Sequence, residues 1–179
     1  MAVGLTLGMT DILEKLKGGD RRSIGCVSEV IAQVLRDPAL FPRLFDGMLN
    51  QDPIIRMRSA DAIEKITATH PEYLQPHGDK LLRQVAKIDQ QEVRWHVAQM
   101  LPRLVLSKEE GTAVVEILLS YLQDKSKIVK TFSMEALTAC AEKDPSIRAK
   151  VTELLEELTR TGSAAMKSRG RKLLQRLTK

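Results

Sequence analysis

The chain has 179 residues, of which 43% are hydrophobic and 28% are charged, and its formal net charge is +5. These proportions are typical of a folded, soluble protein and exclude a disordered one. No apolar run approaches the roughly 20 residues that a transmembrane helix needs, and an aromatic content of only 3% disfavours an aromatic-lined pocket.

Apolar residues recur with a helical period along the chain, and no segment alternates with the period of a strand. The sequence therefore predicts an all-α fold of ten helices arranged in five pairs. The predicted pairs are 10–17 with 20–35, 38–50 with 53–69, 71–88 with 90–105, 109–123 with 125–142, and 145–161 with 163–178.

Capping residues mark several of the predicted helix starts. An Asp-Pro step occurs at 37–38, at 52–53 and at 144–145. In each step the Asp is expected to cap a helix whose first residue is the Pro. The spacings Asp89-x-x-Glu92 and Ser107-x-x-Glu110 predict capping boxes.

The second helix of each pair carries a repeated pattern. Three segments, 54–66, 92–104 and 128–140, align without gaps at offsets of 38 and 36 residues. Each has a β-branched apolar residue, a basic residue, two small residues or a small residue and Met, and then an apolar residue. A fourth copy begins at Met166 but has Gly170-Arg171 in place of the small pair, and a degenerate fifth copy is expected at 24–35.

This pattern resembles that of HEAT repeats over residues 38–142. The residues that carry the resemblance are Asp52, Ile55-Arg56, Ser59-Ala60 and Ile63; Asp89, Val93-Arg94, Val97-Ala98 and Leu101; and Asp124, Val129-Lys130, Ser133-Met134 and Leu137. The resemblance implies a right-handed α-α superhelix, a HEAT-like solenoid formed by a single domain over 1–179. Its second helices would line the concave face.

Trp95 lies opposite the apolar stripe of its helix, so we expect it to project from the concave face. Exposed aromatic residues are common anchors in protein interfaces; alternatively, the indole covers a side chain of a neighbouring repeat. The residues expected beside Trp95 on this face are Met57, Asp61, Gln99, Arg103, Thr131 and Glu135. Their mixed charges favour a protein partner over a polyanion.

One basic residue recurs at the edge of the apolar stripe in each repeat. These residues are Arg56, Arg94 and Lys130. We expect them to pair with the Asp of the preceding turn and so to have a structural role.

Residues 146–179 contain nine basic and only three acidic residues. A basic last helix could bind phosphates or an acidic protein surface, or it could simply be a solvated cap. The candidate phosphate-binding residues are Lys167, Arg169, Arg171, Lys172 and Arg176. Nucleic acid is the less favoured partner because no base-reading element or stacking platform accompanies the charge.

The sequence indicates no catalytic, cofactor or metal site. Gly-rich phosphate loops, G-x-S-x-G and H-E-x-x-H are all missing from it. The local group of His70, Glu72, His77 and Asp79 is expected to be a solvated turn. Among HEAT-like families, alkylbase DNA glycosylases give a minor alternative in which Trp95 acts with Asp61 or Glu135, and chromophore lyases give another.

The sequence thus favours a monomeric, cytoplasmic, non-catalytic protein–protein interaction module. Cys26 and Cys140 are far apart in sequence, and both are expected to be reduced and buried.

Overall fold

The computed structural model describes residues 11–19 and 25–178. Parts of the first predicted pair, at residues 10 and 20–24, and the start of the degenerate repeat at residue 24 lie outside the described residues. Within these two ranges all regular structure is helical and no strand occurs, which confirms the predicted all-α class. None of the described helices combines the length and the apolar character that crossing a membrane requires.

Nine α-helices form in the described residues. They are α1 (Val27–Arg36), α2 (Phe41–Asp46), α3 (Pro53–Thr69), α4 (Gly78–Arg83), α5 (Gln91–Met100), α6 (Lys108–Tyr121), α7 (Lys127–Lys143), α8 (Arg148–Thr161) and α9 (Ala164–Leu177). Short 3₁₀ helices connect or extend them. These are Ile12–Leu16, Pro38–Leu40, Gly47–Leu49, Pro71–Tyr73, Gln75–His77, Val85–Lys87, Leu101–Arg103 and Pro145–Ile147.

The chain forms two compact units, Met1–Ile66 and Thr67–Lys179. The described part of the first unit contains α1, α2 and most of α3. A single solenoid domain over the whole chain remains a prediction.

Arg58 of α3 organises the first unit. Its side chain is only 1% exposed, and its Nη1 donates hydrogen bonds to the carbonyl oxygens of Leu16 (2.8 Å) and Gly18 (2.7 Å). Gly18 has a φ of 74°, a backbone conformation that favours glycine. The guanidinium therefore fastens the end of the Ile12–Leu16 helix to α3.

In the second unit, the second helices of successive pairs pack side by side. Helix α5 contacts α7, and α7 contacts α9, while α6 packs on α7 and α8 packs on both α7 and α9. This confirms the pairing predicted for 109–142 and 145–178. Because α7 has neighbours on several sides, it is buried on more than one face.

The predicted helices 38–50 and 71–88 are wrong as continuous helices. The first is divided into Pro38–Leu40, α2 and Gly47–Leu49, and the second into Pro71–Tyr73, Gln75–His77, α4 and Val85–Lys87. Proline lacks the amide proton of the helical ladder and clashes with the preceding turn. Pro76 accordingly lies in a 3₁₀ turn ahead of α4, and Pro102 likewise ends α5 in a 3₁₀ turn.

The capping predictions are confirmed with one exception. The Asp carboxylates accept from the amides of Ala39, Ile54 and Ser146 at 3.2, 2.8 and 2.9 Å, and Ser107 forms the predicted capping box with Glu110. The capping box predicted at Asp89 is wrong: α5 has Gln90 at its N-cap without a side-chain cap.

Candidate functional site

The face around Trp95 is more enclosed than expected. Trp95 is half-buried, its indole lies 5.5 Å from the His96 ring, and its carbonyl accepts from Gln99 Nε2 at 3.2 Å. Arg103 Nη1 donates to Thr67 Oγ1 at 2.8 Å. The residues at this face are thus held largely by contacts within the second unit.

Two residues expected to face solvent are buried. Met57 is 7% exposed and Thr131 is 9% exposed, so their predicted exposure is wrong. The prediction assumed one apolar stripe per helix, whereas residues 57–60 of α3 are buried in succession. Thr131 satisfies its hydroxyl by donating to the Lys127 carbonyl at 2.7 Å. Asp61 is half-buried and pairs with Lys65 at 2.8 Å.

The predicted partner residue Glu135 and the basic last helix come together in the structure. Glu135 pairs with Arg169 and with Arg176, the latter at 2.7 Å. Arg176 also pairs with Glu142 at 2.7 Å, and this hydrogen bond is the main reason that the pKa of Glu142 lies below its ordinary value. Two of the five candidate phosphate-binding residues are therefore joined to carboxylates of α7.

The other three candidate phosphate-binding residues lie on the same helix, α9. Arg171 and Lys172 are exposed, and Lys167 is half-buried.

The recurring basic residues have structural contacts. Arg94 Nη1 lies 3.1 Å from Asp89 and 2.6 Å from Asp124, and its guanidinium carbon is 5.6 Å from the centre of the Tyr121 ring. Burial raises the pKa of Asp124, but hydrogen bonds from the Ser126 amide and Arg94 outweigh burial, so the net shift is downward.

The basic residues of the other two repeats also interact with the turn that precedes their own helix. Arg56 donates to the carbonyls of Asn50 and Gln51 at 2.8 and 3.0 Å. The charge of Lys130 contributes to lowering the pKa of Asp124. The structural role predicted for these residues is supported most fully at Arg94, which links the turn before α5 to the turn before α7.

The second unit has a groove between α6 and α8, which we call the α6–α8 groove. It has a volume of about 930 Å³, and helix α7 forms its floor. Its apolar lining includes Val105, Val115, Leu119, Leu137, Val151 and Leu154. Val105 is 79% exposed, the highest value among the exposed large hydrophobic residues of the described chain.

The two ends of the α6–α8 groove differ in charge. Lys108, Lys143 and Lys150 line it where α6 begins, α7 ends and α8 begins. Asp144 lies at the same end, where its carboxylate accepts from the Ser146 amide at 2.9 Å. Glu116, two helical turns along α6 from Lys108, is the other acidic residue of the lining.

The two cysteines differ in environment, and neither is fully buried. Cys26 is exposed at the start of α1, and Cys140 is half-buried, so the expected burial is wrong for both. Cys140 belongs to the lining of the α6–α8 groove, and burial raises the pKa of its thiol to about 11.

The α6–α8 groove was not predicted, because the repeated pattern of the second helices favoured a binding face on those helices. One signal was present: the segment Leu104-Val105-Leu106 is apolar although it follows the end of a helix and precedes the Ser107 cap. The side chains of such an apolar loop usually pack either against the protein's own core or against a binding partner. Here Leu104 is 3% exposed, whereas Val105 faces solvent.

The turn that contains His70 shows no metal-binding geometry. His70 Nδ1 lies 3.1 Å from Glu72, and its ring stacks on Tyr73 at 5.1 Å. Within residues 11–19 and 25–178, no group of three or more His, Cys, Asp or Glu side chains could hold a metal ion.

The sequence matches no protein-family model and no curated protein. Among solved structures, the chain is similar to an engineered protein known from a crystal structure. The TM-score is 0.64 at 16% sequence identity, and the alignment covers 93% of this chain and 78% of that chain. At this identity the similarity concerns the fold alone.

Proposed function

We propose that this chain is a non-catalytic, HEAT-type protein-interaction module that binds the apolar side of a partner helix in the α6–α8 groove. The observation that carries the proposal is the groove itself, which is open and lined mainly by apolar surface. Helix-in-groove recognition relies on a hydrophobic channel of this kind.

The dimensions of the α6–α8 groove suit a short helix. Its lining runs along α6 from Lys108 to Leu119, which at 1.5 Å per residue is about 16 Å. A partner helix of about 11 residues, or three turns, has that length. Three turns present three to four apolar side chains on one face.

The α6–α8 groove is a better candidate than the Trp95 face. On that face the indole is half-buried and Thr131 is buried. Partner docking there would have fewer free apolar atoms to cover. We thus keep the protein-binding role predicted from the sequence. We assign it to the groove between the first helices α6 and α8 and not to the face of the second helices.

Binding of nucleic acid through the basic last helix receives less support. Arg169 and Arg176 would have to leave Glu135 and Glu142 before they could bind phosphates. The glycosylase alternative is weakened in the same way, because Glu135 lies in ion pairs with two arginines. A cytoplasmic location fits a protein-interaction module with two free thiols.

A library of helix-forming peptides tests the proposal when selected against the full chain. The selected peptides are then measured by fluorescence anisotropy against three variants. Val105→Glu places a charge on the rim of the α6–α8 groove, and Ile128→Glu is its matched control, because Ile128 is also an exposed apolar residue (49%) but does not line that groove. Trp95→Ala probes the alternative face.

We expect Val105→Glu to weaken binding at least about tenfold, because a docked partner helix would bury the introduced carboxylate. Burying an unpaired charge costs more than the 1.4 kcal/mol that a tenfold change represents. Ile128→Glu and Trp95→Ala should leave the dissociation constant within about twofold. If no peptide in the library is enriched, the proposed groove is refuted. It is also refuted if Trp95→Ala is the only one of the three variants that loses binding.

A further inference from the structure

We infer that the partner helix is acidic at one end and places its carboxylates beside Lys108 and Lys150 of the α6–α8 groove. This inference rests on the proposed function and adds the charge and the orientation of the partner. It follows from the position of the three lysines and from the exposure of Lys108 and Lys150.

Basic groups collect at one end of the α6–α8 groove. Lys108 is the first residue of α6, Lys143 is the last residue of α7, and Lys150 lies in the first turn of α8. The N-termini of α6 and α8 also meet this end, and helix N-termini favour nearby negative charge. The C-terminus of α7 and the Asp144 carboxylate oppose this effect, but three lysines and two helix N-termini outnumber them at this end.

The acidic residues of the lining cancel only part of this charge. The Asp144 carboxylate accepts from the Ser146 amide and contributes one negative charge, which the charge of Lys108 helps to stabilise. Glu116 is eight residues along α6 from Lys108, which corresponds to about 12 Å. Three lysines thus face one carboxylate at the basic end, and Glu116 lies farther along the groove.

The lysines differ in their availability to a partner. Lys143 donates to the Pro102 carbonyl and so holds the loop before α6. In the described residues, neither Lys108 nor Lys150 forms a salt bridge. Both are exposed at the groove margin, where an ammonium group can reach a docked carboxylate while the stem of the side chain covers apolar surface.

An acidic amphipathic helix matches this arrangement. Its apolar stripe would cover Val115, Leu119 and Leu154, and the glutamates or aspartates at one end would contact Lys108 and Lys150. A helix with basic residues at that end would bring like charges together, which is unfavourable. Charge thus fixes both the class of partner and its direction in the groove.

Cys140 provides a reporter at the floor of the α6–α8 groove. In the full chain with Cys26→Ser, alkylation by N-ethylmaleimide at a fixed pH reports access to Cys140 alone. Three 12-residue peptides share a stripe of four leucines and differ at one end, which carries three Glu, three Gln or three Lys. Circular dichroism gives the helicity of each peptide, so that preorganisation is separated from charge.

We expect the Glu peptide to slow the alkylation of Cys140 at a concentration about tenfold lower than the Lys peptide requires. The double substitution Lys108→Glu/Lys150→Glu should reverse this order. Its matched control is Lys125→Glu/Lys127→Glu, which changes the net charge equally at residues that do not line the α6–α8 groove, and this control should preserve the order.

Each remaining outcome has a distinct meaning. Equal protection by all three peptides would overturn the inferred acidic partner and leave the proposed helix-binding function intact. Reversal of the order by the control substitutions would also overturn it, because only the net charge would then matter. Protection by none of the peptides would refute the helix-binding groove and the inference together.

Discussion

Gly170 of α9 lies at a close contact between α8 and α9. A Cβ atom at this position would come within 1.9 Å of Thr159 Oγ1, 3.1 Å of Thr159 Cβ and 3.3 Å of Met134 Cε. Thr159 is stiff because it is β-branched, so the contact cannot be relieved by a long flexible chain. We therefore expect Gly170→Ala to destabilise the second unit.

The magnitude follows from two opposing effects. Replacing a helical glycine by alanine contributes about 1 kcal/mol through helix propensity. Overpacking a tight contact costs about 1–3 kcal/mol. The expected net change in the free energy of unfolding is thus a loss of up to about 2 kcal/mol.

Gly111 of α6 is the matched control. A Cβ atom there would meet nothing within 4 Å, so Gly111→Ala should stabilise the same unit by about 1 kcal/mol. Urea unfolding followed by circular dichroism gives both values. In the Thr159→Ala background, Gly170→Ala should lose at least half of its destabilising effect; equal stabilisation by both substitutions, or no rescue, would refute the assigned contact.

Three further predictions concern buried and ionic contacts. Arg58→Met should lower the free energy of unfolding of the first unit by about 2–4 kcal/mol, measured in urea, because the carbonyls of Leu16 and Gly18 lose a charged donor; a loss below about 1 kcal/mol would contradict this role. Asp124 has a folded-state pKa below its ordinary value of 3.8, so its stabilisation is complete above the unfolded pKa and is lost as the pH falls through the folded pKa. Asp124→Asn should therefore have a lower free energy of unfolding than the wild type at neutral pH, and the two values should converge in acid. A difference that stays constant with pH would contradict the assignment. Glu135→Gln/Glu142→Gln should free Arg169 and Arg176 for phosphates and steepen the salt dependence of duplex-DNA binding in gel shifts by about two on a log–log slope, whereas an unchanged slope would show that these ion pairs do not limit phosphate binding.

The sequence predicted the second helices better than the first ones. The long helices α3 and α7 and the Asp caps follow from local periodicity and local hydrogen bonds, and both appear as expected. The breaks around Pro76 and Pro102 also have a local cause, but an apolar period that continues across them obscured it. Glycine at position 170 looked like a departure from the repeat, whereas the structure places it at a close contact between α8 and α9.

The candidate site was less predictable. The angular position of Met57 and Thr131 gave the wrong exposure because burial depends on how many neighbouring elements surround a helix. The ion pairs between α7 and α9 join residues 34 and 41 positions apart, so no sequence window contains both partners. The α6–α8 groove depends on the spacing of two helices that are not consecutive, which periodicity does not determine.

The docking of a partner helix in the α6–α8 groove is tested most directly by NMR titration of the full chain with the Glu peptide. The chain has one tryptophan, so the single indole N–H signal reports the Trp95 face, while the methyl signals of Val105, Val115 and Leu154 report the groove. We predict that these methyl signals shift with a common saturation curve and that the indole signal stays in place. A shifting indole with unchanged groove methyls would contradict the proposed site.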